Sequence, residues 1–215
     1  MTPLLVLRPE PGNYITVNRA RDLGLAPVSC PLFAIEPVSW TAPDTSGVDY
    51  ILFTSANALR HGGGQIARLT DRPALAVGPV TADAARAAGF DVTMTGDEGV
   101  DALLAGLPGA RQLLHPGGAE HRAVETRHRV ETVVVYRSIT LPAPVVPAGK
   151  LVALVHSPRA GARFAQLVLD RARIAIAAIS APAAAECGAG WATVETAGQP
   201  SDGALLALAA RLCQD

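Results

Sequence analysis

The sequence contains few aromatic residues, a single lysine and almost no net charge. Of its 215 residues, 4% are aromatic and 49% are hydrophobic, so alanine, valine and leucine must build the core. Lys150 is the one lysine among 18 basic residues, and the formal net charge is -1. Such a chain lacks the positive field that attracts nucleic acid to a whole molecule, so we expect no nucleic-acid partner.

Cysteines are also few, and long apolar runs are absent. Cys30, Cys187 and Cys213 are scattered and lack the spacing of metal ligands, so we expect reduced thiols in the cytoplasm. Residues 1–8 carry a short apolar run without a basic segment before it, which predicts a strand rather than a signal peptide. No apolar stretch reaches the roughly 18 residues that cross a bilayer, so we expect no membrane partner.

The two halves of the chain resemble each other at a constant offset of 102 residues. Residues 51–55 correspond to 153–157, and the Ala-Leu-Leu segment at 102–104 recurs at 204–206. Each half alternates short apolar strands with helices, an order typical of a doubly wound parallel sheet. The most apolar predicted strands are 50–53, 74–77, 151–155 and 174–179.

The C-terminal half lacks a counterpart for one strand, the segment at 113–118 that contains His-Pro-Gly-Gly. The N-terminal segment at 6–12 has the same pattern, in which apolar residues lead into a basic residue, a proline and a glycine-bearing turn. We therefore expect this strand, with a helix over 14–23, to complete the C-terminal unit.

The predicted fold is α/β, with two doubly wound, flavodoxin-like parallel-sheet lobes joined by a two-stranded β linker. Residues 1–30 and 140–215 are expected to form a discontinuous lobe, and 37–131 a continuous one. Residues 31–36 and 132–139 are β-prone and are expected to be the linker strands.

Ligands of open α/β sheets bind at the carboxyl ends of the strands, where helix N-termini present free N–H groups. The predicted turns there are rich in Ser, Thr, Gly and Pro and poor in carboxylates, which favours an anionic ligand in a cleft. The hydroxyls of Ser55, Thr81 and Ser157, each taken alone, are explained equally well as caps at helix starts. The candidate substrate-binding residues are Arg8, Pro9, Ser55, Ala56, Asn57, Gly78, Thr81, Gly117, Ser157, Pro158, Arg159, Ser180, Ala181, Pro182 and Ala183.

The five histidines form no hydrolytic or metal-binding motif. His115 and His156 occupy predicted turns, where each is a candidate for hydrogen bonding to a ligand rather than for chemistry. The basic run at 121–129 is expected to be the solvated face of a helix. We expect no metal site.

Four segments resemble the uroporphyrinogen-III synthase family: 53–57, 76–82 followed by 88–90, 135–137 and 7–9. Each is short, but they keep the family's order over essentially the whole chain. The resemblance implies a cofactor-free lyase of haem biosynthesis that cyclises hydroxymethylbilane, a linear tetrapyrrole with eight carboxylates, to uroporphyrinogen III. In the implied reaction the terminal hydroxyl leaves as water, ring D attacks through a spiro intermediate, and the inverted ring closes the macrocycle.

The resemblance implies that Tyr136 is the catalytic residue, which helps the hydroxyl depart by donating a hydrogen bond or a proton. A tyrosine that only packs remains the alternative. Arg8 and Arg159 are then candidate partners for substrate carboxylates, and Ser55 and Thr81 supply hydroxyl and N–H contacts. The expected enzyme is a cytoplasmic monomer whose partners are its substrate and, transiently, the preceding enzyme of the pathway.

The chain departs from the family pattern in three places. Leu7 stands where threonine is common before Arg-Pro, and the segment between Gly118 and Val130 is short. Ala183 stands where the first half has Thr81, so hydroxyl contacts are expected from one half more than from the other. These departures leave an inactive synthase-like protein as an alternative.

Two further alternatives come from other classes of protein. A bilobal protein that binds anionic small molecules would have the same architecture, without catalysis. A pair of receiver-like domains would need a phosphorylatable aspartate at a strand end, where Thr54 and His156 stand instead. The ring-D isomer formed from hydroxymethylbilane separates these alternatives from the enzyme.

Overall fold

The computed structural model describes residues 1–97, 99–121, 124 and 126–214. The chain divides into two compact units: unit 1 comprises Met1–Ala34 and Thr140–Asp215, and unit 2 comprises Ile35–Ile139. In the described part of the chain, no helix has the length and apolar character needed to cross a membrane.

Both units are built from strands alternating with short helices. The strands are β1 Pro3–Val6, β2 Ala26–Ser29, β3 Phe33–Pro37, β4 Tyr50–Phe53, β5 Ala74–Val77, β6 Val92–Gly96, β7 Gln112–Gly118, β8 Arg129–Thr140, β9 Leu151–Val155, β10 Ile174–Ala178 and β11 Thr193–Thr196. The α-helices are α1 Gly12–Asp22, α2 Ala56–His61, α3 Pro79–Ala87, α4 Val100–Ala105, α5 Pro158–Leu167, α6 Ala181–Ala185 and α7 Asp202–Leu212. A 3₁₀ helix, Gly63–Leu69, follows α2.

Unit 1 contains a five-stranded sheet in the order β11-β10-β9-β1-β2, and all its neighbouring strands are parallel. The N-terminal strand therefore lies inside the C-terminal sheet, with Leu5 paired to Ala153. Leu4 and Val6 face the apolar cluster beneath α1 and α7, whereas Leu5 faces the cluster beneath α5 and α6. Because both faces are covered, β1 and β9 must be apolar throughout, which is why they appear as continuous hydrophobic runs.

Unit 2 contains a six-stranded sheet in the order β3-β8-β7-β4-β5-β6. Ile51 and Phe53 of β4 pack into one apolar cluster, and Leu52 between them packs into the cluster on the opposite face. The segments expected to be linker strands overlap β3 and β8, which are neighbours in this sheet, and β8 also pairs in parallel with β7.

The repeat corresponds to equivalent elements in the two units. At the offset of 102 residues, β4 matches β9, β5 matches β10, β6 matches β11, and α4 matches α7. Each sheet has apolar clusters on both faces, as a doubly wound α/β fold requires. The predicted fold class is therefore confirmed, and β4, β5 and β9 have the predicted bounds.

Two local predictions are wrong at strand ends. The His-Pro-Gly-Gly segment is part of β7, which continues to Gly118 because its backbone pairs with β8 up to Tyr136. Helix α3 begins at Pro79, so Thr81 is the third helical residue rather than the helix start. Gly78 precedes the helix with φ +79°, a conformation that only glycine adopts without strain.

The basic run at 121–129 is not a helix among its described residues, and Arg122 lies outside them. Residues 127 and 128 form a bend, and β8 begins at Arg129. His128 is buried: its Nδ1 accepts the Arg111 N–H at 3.2 Å, and its Nε2 lies 2.9 Å from the carbonyl oxygen of Leu104. The run is therefore not the expected helix. His128 is buried by its contacts with Arg111 and with Leu104 of α4, whereas His121, Arg127 and Arg129 are exposed.

Candidate active site

The candidate binding residues of unit 1 follow three neighbouring strands. Arg8 and Pro9 follow β1, residues 157–159 follow β9, and residues 180–183 follow β10. Because the sheet order is β10-β9-β1 with all strands parallel, these segments lie side by side at its carboxyl edge.

Two serines of this edge occupy the same helix position but differ in their bonding. Ser157 caps α5, and its Oγ accepts the N–H of Ala160 at 3.2 Å. Ser180 precedes α6 without a side-chain cap bond. The Ser157 hydroxyl is therefore engaged by its own helix, whereas the Ser180 hydroxyl is not used in this way.

Two other candidates of unit 1 have clear packing roles. Ala183 is fully buried, since α5 approaches α6 so closely that a Cβ on Gly161 would lie 2.8 Å from the Ala183 carbonyl oxygen. The prediction of a substrate contact at Ala183 therefore finds no exposed surface in this structure. Arg159 is exposed and stacks its guanidinium over Phe33, 4.3 Å from the ring centroid.

Four donor groups converge on Asp202, the first residue of α7. Thr16 Oγ1 donates to its carboxylate at 2.7 Å, Arg19 at 3.0 Å and Arg8 at 3.4 Å, and His156 Nε2 lies at 3.1 Å. Burial opposes ionisation of Asp202, but the hydrogen bonds from His156, Thr16 and Arg19 outweigh it and hold the carboxyl pKa well below its ordinary value.

This cluster corrects two expectations. The edge of unit 1 was expected to be poor in carboxylates, yet Asp202 lies at its centre. His156 was a candidate for bonding a ligand, but its side chain is only 7% exposed and its Nε2 already contacts Asp202. The missed signal is that α7 follows β11, which brings Asp202 to the same sheet edge as Arg8.

The candidates of unit 2 likewise follow neighbouring strands. Residues 55–57 follow β4, Gly78 and Thr81 follow β5, and Gly117 lies near the end of β7, in the sheet order β7-β4-β5. Ser55 and Asn57 are partly exposed, and the Ser55 Oγ accepts the Asn57 N–H at 3.2 Å as a helix cap.

Three candidates of unit 2 are buried, so their predicted contacts with a ligand find little exposed surface. Ala56 is 5% exposed and Thr81 is 6% exposed, and Gly117 is also buried. Ala56 and Thr81 are each buried in the first turn of a helix, α2 and α3 respectively. The hydroxyl of Thr81 is therefore not presented at the surface.

A cavity of about 240 Å³ lies at the carboxyl edge of the unit 2 sheet. Its polar lining residues are Thr54, His115, Glu120, His121, Tyr136 and Ser138. Of these, the sequence predicted Tyr136 as catalytic and His115 as a ligand contact. It did not predict Thr54, Glu120, His121 or Ser138, although Thr54 directly follows an apolar strand and was open to the same argument as Ser55.

His115 is fixed by the fold. Its Nε2 lies 2.9 Å from Thr54 Oγ1 and its Nδ1 lies 3.2 Å from Thr132 Oγ1. Burial, with a smaller contribution from nearby His121, lowers the pKa of His115 to about 4. The imidazole is therefore neutral at pH 7, and both of its nitrogens bond to hydroxyls, so it orders the cavity wall rather than donating a proton.

The paired glycines of β7 make room for two aromatic rings. A Cβ on Gly117 would lie 2.8 Å from the His115 ring, and a Cβ on Gly118 would lie 2.7 Å from the Tyr136 ring. Any larger residue at either position displaces a ring from its present place. The two glycines therefore set where His115 and Tyr136 lie.

Tyr136 is half-buried on β8, opposite Gly118, and its ring lies 6.4 Å from the His61 ring. Within the described residues, no protein group forms a hydrogen bond with its hydroxyl. His121 lies nearby with Nδ1 2.9 Å from the Gly118 carbonyl oxygen, so Nδ1–H donates there and Nε2 is left for other contacts. The cavity thus contains a phenol and an imidazole nitrogen that a ligand can engage.

The comparisons with known proteins agree with this architecture. The family model described as Uroporphyrinogen-III synthase HemD matches residues 16–207. No curated protein sequence matches the chain.

Two solved structures share the fold. A uroporphyrinogen-III synthetase from Helicobacter pylori has a TM-score of 0.70 at 17% identity, covering 99% of this chain and 100% of that one. A mutant uroporphyrinogen III synthase from the extremely thermophilic bacterium Thermus thermophilus has a TM-score of 0.57 at 18% identity, with 100% of both chains covered. The family model spans most of the sequence, and the chain belongs to the uroporphyrinogen-III synthase family of porphyrin-biosynthesis enzymes.

Proposed function

We propose that this chain cyclises hydroxymethylbilane to uroporphyrinogen III and that Tyr136 assists the loss of the terminal hydroxyl as water. The observation that carries the proposal is the cavity of unit 2, which Tyr136 lines. Within the described residues, the Tyr136 hydroxyl has no hydrogen-bond partner. A leaving hydroxyl needs a hydrogen-bond or proton donor, and a phenol at a half-buried position supplies one.

The size of the cavity indicates that it binds only one part of the substrate. About 240 Å³ is below the roughly 300–1,000 Å³ typical of sites that enclose a drug-sized ligand. It suits one pyrrole ring with its hydroxymethyl group rather than four rings. The cavity therefore holds the reacting end of the substrate, while the remaining rings and most carboxylates lie outside it.

Among the polar groups of the cavity, Tyr136 fits the donor role better than His115. Both nitrogens of His115 are occupied by threonine hydroxyls, and its low pKa of about 4 leaves it unprotonated at pH 7. His121 Nε2 and Ser138 are second contacts for the same ring. Catalysis then depends chiefly on orientation, which can supply roughly 7 kcal/mol or more of the barrier.

The carboxylates of the substrate need cationic and N–H partners, and unit 1 offers them along one sheet edge. Arg8, Arg159 and the Ser180 hydroxyl lie there, beside the N-terminus of α5. Guanidinium groups bind carboxylates in a bidentate manner, so these arginines are the proposed anchors. The buried candidates Ala56, Thr81, Gly117 and Ala183 shape the edge rather than contact the substrate.

The test of the function is an isomer assay. The protein is incubated with freshly generated hydroxymethylbilane, and the product is analysed for the orientation of ring D. We expect isomer III, formed faster than spontaneous closure. Isomer I alone, at the spontaneous rate, would show an inactive synthase-like or merely binding protein.

Tyr136 is tested by the substitution Tyr136→Phe, which removes the hydroxyl and retains the ring. We expect kcat to fall by about tenfold to a hundredfold with little change in KM, since the lost bond acts in the departure step. Tyr50→Phe, on β4 outside the cavity, is the matched control and should retain wild-type turnover. An unchanged kcat for Tyr136→Phe would leave this tyrosine with a packing role only.

The proposal includes a cytoplasmic monomer that receives its substrate from the preceding enzyme of the pathway. The three cysteines are unpaired, which suits a reducing compartment. Size-exclusion chromatography with light scattering tests the oligomeric state, for which we expect a mass near 22.1 kDa.

A further inference from the structure

Asp202 and Arg8 form an ion pair in which the carboxylate is mostly buried and the guanidinium is partly exposed to solvent. The Asp202 side chain is 12% exposed, whereas that of Arg8 is 33% exposed, and their closest atoms are 3.4 Å apart. Thr16, Arg19 and His156 fix the carboxylate from other directions at 2.7–3.1 Å. Asp202 is therefore a rigid acceptor beneath a guanidinium that still reaches solvent.

Gly12, the first residue of α1, leaves the space that the Arg8 guanidinium occupies. A Cβ at Gly12 would lie 2.4 Å from Arg8 Nε and 2.5 Å from Arg8 Cζ. The side chain of Arg8 thus lies directly over the helix start, a position that exists only because residue 12 has no side chain. An arginine at the positive end of a helix is electrostatically unfavourable, and the buried Asp202 carboxylate offsets that cost.

We propose that Asp202 and Gly12 are positioning residues that hold the Arg8 guanidinium at the carboxyl edge of the unit 1 sheet, where it binds a carboxylate of the substrate. This inference rests on the proposed function for the identity of the substrate. Arg8 Nη1 donates to both Asp202 and Thr16, and the remaining N–H groups of the guanidinium, which has five, stay available for a second carboxylate.

Two opposite effects make the role of Asp202 measurable. If Asp202 acted only through its charge, removing it would leave the edge more positive and tighten the binding of an anion. If it positions Arg8, removing it frees the guanidinium and weakens binding. The sign of the change in affinity therefore separates positioning from simple electrostatics.

The probe is uroporphyrin III, a stable fluorescent octacarboxylate, titrated into the full-length protein. For Gly12→Ala we expect about a tenfold weaker Kd, because the new Cβ displaces the flexible end of Arg8. The melting temperature should not fall, since alanine favours the helix more than glycine does. Unchanged affinity with Gly12→Ala would overturn the positioning role of residue 12.

Asp202→Asn is the second variant, and it should weaken binding about tenfold in the wild-type background. In an Arg8→Ala background the same change should have no further effect, since it acts through Arg8. Asp170→Asn, which removes an exposed partner of Arg173 in the same unit, is the control and should bind as the wild type does. The inference would be overturned if Asp202→Asn bound uroporphyrin III more tightly than the wild type. It would also be overturned if Asp202→Asn weakened binding as much in the Arg8→Ala background as in the wild-type background.

These results are distinguishable from those on the proposed function. Binding of the octacarboxylate is measured without turnover, whereas the isomer assay reports catalysis by the wild type. If the protein forms no isomer III but shows the Asp202–Arg8 coupling, the positioning role is supported and the proposed activity is contradicted. If it forms isomer III without this coupling, the activity is supported and the positioning role is contradicted.

Discussion

His115 is buried between the hydroxyls of Thr54 and Thr132, and its environment lowers the imidazole pKa from 6.5 to about 4. The unfolded chain therefore binds a proton on this residue between pH 6.5 and 4, while the folded chain does not. The stability that the neutral imidazole contributes is complete above pH 6.5 and is lost as the pH falls towards 4.

We predict that lowering the pH from 7.5 to 5 costs the wild type about 2 kcal/mol of unfolding free energy through His115. In His115→Gln this contribution disappears, so the variant loses about 2 kcal/mol less over the same interval. Urea denaturation of both proteins at the two pH values measures the difference. Equal losses would mean that His115 titrates normally in the folded state.

Individual contacts were the part of the site least accessible from sequence. Thr81 and Ala183 carry the residue types and positions of ligand-binding turns, yet both are buried in the first turn of a helix. Asp202 looked like an ordinary helix-starting residue, and its partners Arg8 and Thr16 are distant in the chain. Which side of a helix faces the sheet, and which distant side chains meet, depends on packing that a local pattern does not contain.

At the scale of elements, two helices of unit 1, α5 and α6, each begin after a serine, and the two serines can be compared. The Ser157 oxygen accepts a cap bond from the Ala160 N–H, and Ser180 occupies the same position before α6 without such a bond. Both serines were predicted from the sequence as candidate binding residues, without a distinction between them. Only the side-chain geometry distinguishes a capping serine from one whose hydroxyl is left for other contacts.

We predict that Ser157→Ala lowers the free energy of unfolding by about 1 kcal/mol, since it removes the cap of α5. Ser180→Ala, its counterpart, should change stability by less than about 0.5 kcal/mol. Chemical denaturation of the two variants under one condition checks this ordering. A larger loss for Ser180→Ala would contradict it.

The strands were predicted well because a strand that is buried on both faces must consist of apolar residues. Runs such as Leu151–Val155 are apolar at every position, as required when both faces of a sheet are covered. The prediction failed for β7, where His-Pro-Gly-Gly predicts a turn but the backbone pairs with β8 to its end. It failed also for the basic run, whose described residues form no helix and in which His128 is buried. In both places long-range pairing overrode the local preference.

At the scale of the whole molecule, the N-terminal strand is a central part of the unit 1 sheet. β1 pairs with β2 on one side and with β9 on the other, and Leu5 is fully buried. The apolar clusters of unit 1 and unit 2 contain different residues, so each unit has a core of its own.

We predict that Leu5→Ala destabilises unit 1 by about 2–5 kcal/mol, because a cavity remains between its sheet and helices. Val194→Ala on the edge strand β11, where the residue is 38% exposed, should cost less than about 1 kcal/mol. Hydrogen exchange should show lower protection in β9 and β10 of Leu5→Ala and unchanged protection in β4 and β5. Equal loss of protection in both sheets would show that the two cores unfold as one.

The sequence alone determined the class of fold, the repeat and the membership of the N-terminal strand in the C-terminal sheet. Apolar runs indicate which segments are buried strands, and the spacing of these runs and the turns between them indicate the order of the elements along the chain. The tertiary structure alone decided which candidate residues are exposed, that His115 is held neutral, and that Asp202 and Gly12 surround Arg8. Those facts depend on distances between residues far apart in sequence, and the packing of sheet and helices sets those distances.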